Sequence, residues 1–352
     1  MGSSKQIFRL PDHARNGGNG AGVPRASVAL YNATRPPHFG GWVAICYSGI
    51  CMASLYTQQS RNVFKTWLLM GAFLVIVMLI GWGASYYFNS PMILYGAVAF
   101  ALIMNVWAYW FSDKMAIASS GAHLADENQY RELHRVVENL AITAGLPKPR
   151  IYIISDPAPN AFAAGRDKEH AVIAVTTGLL GTMDRSELEG VLAHELSHIG
   201  NRDILVMTVA VVLVGFISIL ADMAMRMSLF GGGRDRDSKA NPIILIAVII
   251  AMILAPIAAQ LIQLAISRRR EFLADASGAL LTRYPEALAS ALAKIGSYSA
   301  PMQRASTATA HLFISNPFGA EGRRGAAQWL QKLFSTHPPV QERVAALQGM
   351  HV

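Results

Sequence analysis

The stretch Val191-Leu192-Ala193-His194-Glu195-Leu196-Ser197-His198 decides the fold and chemistry of this chain. It contains the pattern His-Glu-x-x-His within a run that favours a helix. Because residues four apart on a helix differ by about 40° of rotation, His194 and His198 project from one face and can bind one metal ion. Glu195 lies to the side of that face, within reach of a water molecule held there. Two surface histidines flanking a solvated glutamate are the alternative.

A third ligand is available further along the chain, in Glu271-Phe272-Leu273-Ala274-Asp275. Its two carboxylates lie one helical turn apart, on one face. Glu271 can complete a set of two imidazoles and one carboxylate, which is typical of a catalytic zinc site with one open position. Asp275 can accept a hydrogen bond from the far ring nitrogen of a ligand histidine and orient its ring. An ordinary acidic helix face remains the alternative.

The composition indicates a membrane protein. Of the 352 residues, 53% are hydrophobic and only 15% are charged, against about a quarter in soluble domains. The net charge of +8 fits basic flanks of apolar runs, which are attracted to anionic lipid, better than nucleic-acid binding. We therefore predict the lipid bilayer as a partner and no nucleic acid. The two cysteines, Cys46 and Cys51, lie far from the metal motif, so neither a disulfide framework nor a cysteine zinc site is expected.

Apolar runs predict two transmembrane hairpins. Thr66–Ser112 contains no charged residue and is divided by Asn89-Ser90-Pro91 into two runs of the length that a spanning helix needs. A second pair of runs follows the metal motif, and its two members could also be only partly inserted. The predicted organisation is a disordered extension (1–62), a transmembrane hairpin (63–112, spans about 67–88 and 92–111), the first part of a protease domain (113–203), a second hairpin (204–267, spans about 204–225 and 241–266) and the second part of the protease domain (268–352).

Several predicted strands followed by the metal-motif helix give an α+β domain. A metal-bound water beside Glu195 is suited to hydrolysis of peptide bonds. The predicted fold class is therefore a multi-pass α-helical membrane protein with a cytosolic α+β zincin-like metalloprotease domain. Both metal-bearing helices look like direct continuations of membrane helices, which places the site near the bilayer surface. Four spans and their basic flanks put the catalytic part on the cytoplasmic side.

Residues that contact a substrate are predicted from two further segments. Asn160, Ala161 and Phe162 begin a candidate edge strand, which would bind an extended polypeptide as an additional strand. A plain core hairpin is the alternative. His337 and Arg343 could donate a hydrogen bond to the oxyanion formed at the scissile carbonyl. For these two, a surface histidine and a helix-start arginine are the alternatives.

Taken together, these motifs resemble the HtpX family of membrane-integral zinc metalloproteases, which is related to the membrane CAAX prenyl endopeptidases. The resemblance runs from about Asn62 to the C-terminus and includes His194–Asp203, Glu271–Asp275, His311–Phe318 and Thr336–Pro339. It implies one zinc ion on His194, His198 and Glu271, Glu195 as catalytic base and acid, and His337 as a transition-state contact. It also implies the bacterial inner membrane and a role in stress response.

The motifs thus predict a zinc endopeptidase with polypeptides as its substrates, and the resemblance implies that these are misfolded or damaged membrane proteins. A narrow-specificity processing peptidase and a catalytically silent membrane scaffold or chaperone are the rival hypotheses.

Overall fold

The computed structural model describes residues 50–230, 268–304, 309–318 and 338–350. Within these residues, four strands lie among helices that differ widely in length. The helices are α1 (Ile50–Tyr87), α2 (Pro91–Trp110), α3 (Ser112–Ser120), α4 (Arg131–Ala144), α5 (Thr177–Thr182), α6 (Arg185–Gly200), α7 (Asp203–Phe230), α8 (Arg268–Thr282), α9 (Pro285–Ser297) and α10 (Val340–Gln348). The strands are β1 (His123–Leu124), β2 (Arg150–Ile154), β3 (Ala161–Ala164) and β4 (Val172–Thr176).

The first two helices form the predicted apolar hairpin. The chain reverses at Asn89, which has a φ of 48°, and α2 begins with Pro91, whose fixed φ suits the first helical position. By length and composition, Gln59–Tyr87 and Pro91–Trp110 could each cross a membrane. Their large apolar side chains are exposed to a degree that lipid contact would explain; Trp82 is 62% and Trp110 is 52% exposed.

The first helix begins earlier than predicted. Residues 50–62 are helical, so the prediction of a disordered extension is wrong for them, whereas residues 1–49 lie outside the described residues. From Ile50 to Met70 the chain has no glycine or proline that would interrupt a helix. Moreover, Gln59 and Asn62 make hydrogen bonds to residues near the end of α6, which tie this part of α1 to the rest of the fold.

We predicted that the metal-motif helix continues directly into an apolar helix. The structure shows that it does not. An 83° bend separates α6 from Asp203–Ile217 of α7. The bend occurs at Arg202, whose φ of 58° no helix can accommodate. The first half of α7 packs against α1 and α2 through a shared apolar cluster that includes Phe73, Ala101 and Leu213. The predicted fourth span, 241–266, lies outside the described residues.

A mixed four-stranded sheet supports the site. The strand order is β1-β2-β4-β3, with β2 parallel to β4 and the other two pairs antiparallel. Every residue of β4 is buried. A core of side chains from the sheet and from α4, α6 and α9 lies on one side, and it includes Val137, Ile153, Leu192 and Leu292. The described residues therefore form an α+β domain joined to apolar helices, and β3 lies at the edge of the sheet, as predicted.

Candidate metal centre

Helix α6 begins at a capping box that fixes where its histidines lie. The Asp184 carboxylate accepts a hydrogen bond from Glu187 N at 2.9 Å, and the Glu187 carboxylate accepts one from Asp184 N at 2.9 Å. Two turns on, His194 and His198 lie on one face with their rings nearly perpendicular and the two Nε2 atoms 3.2 Å apart. Both side chains are buried. The two nitrogens therefore converge on one point inside the protein.

The third predicted ligand comes from the first turn of α8. The Glu271 carboxylate lies 3.7 Å from His198 Nε2 and 3.9 Å from His194 Nε2. A tetrahedral ion with bonds of about 2.0–2.1 Å has its ligand atoms about 3.3 Å apart. Among the described residues, this trio is the group of ligand-type side chains whose atoms lie within 4.8 Å of one another. Its donor types and spacing fit a zinc ion.

Close approach of α8 to α6 makes this convergence possible. A Cβ atom on Gly278 would lie 2.9 Å from His194 N and 3.1 Å from its Cα. Real Cβ contacts are almost never that short against backbone, so only glycine lets the two helices meet here. The helix that carries Glu271 therefore packs directly on the backbone of the first histidine.

The Nδ1 atom of His194 lies 2.9 Å from Asp275 Oδ1. Arg343 in turn donates two hydrogen bonds to Asp275, from Nε at 2.8 Å and from Nη2 at 2.6 Å. Burial raises the pKa of Asp275, but the charge and hydrogen bonds of Arg343 outweigh burial and lower the pKa overall. Burial also lowers the pKa of His194 to about 4. His194 is therefore neutral at pH 7, and its Nε2 can serve as a metal ligand.

The second histidine has a partner that the sequence analysis missed. His198 Nδ1 lies 3.0 Å from Asp203 Oδ2, and Asp203 is 1% exposed. Burial lowers the pKa of His198, but the hydrogen bond to Asp203 and the negative charge of Glu271 outweigh it and raise the pKa to about 9, so binding of a metal ion to His198 Nε2 must release a proton. An aspartate at the start of an apolar run was the available signal, since a buried charge needs a partner.

Glu195 lies beside the ligand trio and is 1% exposed. Burial raises the pKa of Glu195 to about 7, and the positive charge of His198 and a hydrogen bond from the backbone N–H of Ala163 oppose that rise. A carboxyl group with a pKa near neutrality can both accept and release a proton at physiological pH. Edge strand β3 therefore touches the carboxylate that the motif predicts as the base.

The three predicted edge-strand residues are buried, and part of the edge is already paired. Ile314 N donates to Ala161 O at 2.9 Å, and the Asn160 side chain bonds both the N and the O of Ser315. Phe162 packs edge-on against Phe313, with 5.1 Å between ring centroids. The chain around Ile314 therefore lies where an extended polypeptide was expected to bind next to Ala161.

Arg343 lies in a different place from the one we predicted. It does not face a substrate, because it is only 1% exposed. Its Nε and Nη2 donate to Asp275, and its Nη1 donates to Ile314 O at 3.1 Å. The guanidinium also lies 3.9 Å from Glu271 Oε2, so its described side-chain contacts are with the predicted ligands and with Asp275. His337, the other predicted donor, lies outside the described residues.

The chain matches the model of peptidase family M48 over residues 127–351. It is also similar over most of its length to curated proteases. It is 46% identical over 305 residues to a protease HtpX homolog of Caldanaerobacter subterraneus subsp. tengcongensis, covering 85% of this chain and 99% of that protein. The HtpX homolog of Pyrococcus furiosus is 51% identical over 253 residues, covering 71% of this chain and 84% of that protein.

The chain belongs to peptidase family M48. The resemblance to HtpX proteases is thereby confirmed, and the protein is a metalloprotease. The crystal structure of S. mikatae Ste24p is similar, with a TM-score of 0.45 and 20% identity, covering 84% of this chain and 67% of that one. His194, Glu195, His198 and Glu271 all fall within the part of the chain that matches the M48 family.

Proposed function

We propose that this M48 peptidase is a zinc-dependent endopeptidase that cleaves misfolded or damaged membrane proteins from the cytoplasmic side of the bacterial inner membrane. The observation that carries the proposal is the convergence of His194, His198 and Glu271 on one point, with the carboxylate of Glu195 beside it. A scaffold without catalysis would not need this set of buried, mutually oriented groups.

The chemistry divides between the ion and the chain. Zinc held by His194, His198 and Glu271 supplies Lewis acidity to the scissile carbonyl and to a water molecule. Glu195 accepts the proton of the attacking water and later passes it to the leaving amine. The backbone N–H of Ala163 holds the Glu195 carboxylate in place for both transfers. His337 remains our proposed donor to the oxyanion.

The substrate class follows from burial and location. The three ligands are at most 4% exposed, which favours a substrate that enters as an extended chain over one that is part of a folded surface. The apolar hairpin α1–α2 fixes the site to a membrane, so unfolded membrane proteins are the proposed substrates. The pairing of Ile314 with Ala161 leaves less of the β3 edge for a substrate, and this observation favours a narrow-specificity processing peptidase as the second candidate.

The decisive experiment compares wild-type protein with Glu195→Gln in detergent, measuring zinc content and cleavage of an unfolded membrane protein together. We expect about one zinc per chain in both and cleavage only by the wild type. Glu189→Gln is the matched control, because Glu189 lies on the same helix but pairs with exposed Arg185. Cleavage by Glu195→Gln would overturn the mechanism. Cleavage of one substrate class alone would support the processing peptidase.

A further inference from the structure

The amide of Asn62, on α1, is buried next to the metal centre. It is 1% exposed although asparagine is normally a surface residue. Its Nδ2 donates to Asp203 Oδ1 at 2.7 Å and to Asn201 O at 3.0 Å. Its Oδ1 accepts a hydrogen bond from Arg270 Nη1 at 3.4 Å. A flipped amide would place its oxygen against two acceptors, so this orientation is the one that its surroundings permit.

These contacts join α1 to both ligand-bearing helices. Asp203 uses its second oxygen, Oδ2, to hold His198 Nδ1. Arg270, which is 5% exposed and lies 3.5 Å from Asp203 Oδ1, immediately precedes the ligand Glu271. One amide of α1 therefore contacts the partner of the second histidine and the neighbour of the third ligand.

The bend after α6 explains why α1 is needed. The last carbonyls of a helix have no partner within that helix. Here the chain turns by 83°. Gln59 Nε2 donates a hydrogen bond to Gly200 O at 2.7 Å, and Asn62 Nδ2 donates one to Asn201 O. Side chains of α1 thus cap the end of α6 next to His198 and keep Asp203 close enough to orient the imidazole.

We infer that Asn62 is a positioning residue for the metal centre: through Asp203 it sets the orientation of His198, so that the membrane helix α1 controls how tightly the site binds its ion. Partners of a metal-bound histidine change metal affinity by about 10–100-fold when they are removed. Asn62 acts one step further out, on the carboxylate itself. The inference rests on the zinc site proposed above.

The test measures zinc affinity by chelator competition on full-length protein in detergent, with the visible spectrum of the cobalt(II)-substituted protein as a second readout. We expect Asn62→Leu to weaken zinc binding by about tenfold and to change the cobalt spectrum. Asn62→Asp, which keeps the volume and the contact with Arg270 but puts an oxygen against Asp203, should weaken binding at least as much. A role in packing alone would leave Asn62→Asp like the wild type.

A buried asparagine elsewhere in the helical hairpin is the control. Asn105 of α2 is 7% exposed and donates to Met70 O at 3.3 Å. Asn105→Leu should keep wild-type zinc affinity and spectrum. In the Asp203→Asn background, Asn62→Leu should cause no further loss. Wild-type zinc affinity and spectrum in both Asn62 variants would overturn the inference, and so would an equal loss in Asn105→Leu. Wild-type protein without zinc would instead overturn the proposed site.

Discussion

Arg343 donates two hydrogen bonds to Asp275, 2.8 and 2.6 Å long, and both residues are at most 2% exposed. Asp275 in turn meets Nδ1 of the ligand His194 at 2.9 Å. The arginine of α10 thus acts on the metal centre through an aspartate of α8. A two-pronged contact of this kind fixes the carboxylate in direction as well as in place.

We expect Arg343→Lys to weaken zinc binding by about tenfold, because a lysine cannot donate in a fork to both oxygens of Asp275. Activity should recover in part at excess zinc. Chelator competition and initial rates at rising zinc measure both effects. Arg150→Lys is the control, because Arg150 is itself exposed and pairs with Asp113 far from the metal centre. If Arg343 contacted the oxyanion instead, zinc affinity would stay unchanged while kcat fell.

A double substitution tests how the ion pair of Asp275 and Arg343 behind His194 contributes to stability. Asp275→Asn removes the hydrogen-bonded counter-charge of the buried Arg343 guanidinium and leaves only Glu271, 3.9 Å away, which should lower the free energy of unfolding by about 3–5 kcal/mol. Adding Arg343→Met removes the poorly compensated charge, so stability should return in large part while zinc affinity stays low. Thermal unfolding and chelator competition separate the two. A double variant as unstable as Asp275→Asn alone would contradict this account.

The close approach at Gly278 predicts that α8 cannot tolerate even one methyl group there. Gly278→Ala should push α8 away from the His194 backbone, lower the free energy of unfolding by about 1–3 kcal/mol and weaken zinc binding. Gly181 of α5 has no atom within 4 Å of a built Cβ and an ordinary φ, so Gly181→Ala is the control and should be tolerated. Equal unfolding midpoints and zinc affinities for the two variants would refute the prediction.

Glu187 makes stability depend on pH. It is 3% exposed and accepts hydrogen bonds from Lys294 Nζ and Ser290 Oγ, both at 2.6 Å. Burial raises the pKa of Glu187, but the bonds from Lys294, Ser290 and Asp184 N outweigh it and lower the pKa overall. Its contribution to stability is therefore present above the pKa of the unfolded chain and is lost as the pH falls through the lower pKa of the folded state.

Thermal unfolding of wild type and Glu187→Gln across acidic and neutral pH measures this effect. The wild type should be more stable by about 1–3 kcal/mol at neutral pH, and the difference should shrink in acid. Glu189→Gln, at a pair exposed to solvent, should change stability by less than about 1 kcal/mol at any pH. A difference between wild type and Glu187→Gln that persists unchanged in acid would count against the charge as its cause.

Much of the site was predictable because its signals are local. Helical periodicity alone places His194 and His198 on one face, and the same rule pairs Glu271 with Asp275. The apolar hairpin follows from an uncharged run that is long enough to span a bilayer. The partners were less predictable. Asp203 lies beyond a bend, and Asn62 is 141 residues away from it in the chain, so neither contact has a periodic pattern.

The sequence by itself determined which residue types could bind a metal and move a proton, because helix geometry fixes neighbours one turn apart without help from the rest of the fold. The sequence also predicted Asp275 as the partner of a ligand histidine, and the tertiary structure decided that this histidine is His194. Only the tertiary structure decided that Arg343 holds Asp275, and that Asp203 and Asn62 lie behind His198. It also decided that Ile314 pairs with the β3 edge. These choices depend on the bend at Arg202 and on close packing at Gly278, where burial makes each polar group take the partner within reach.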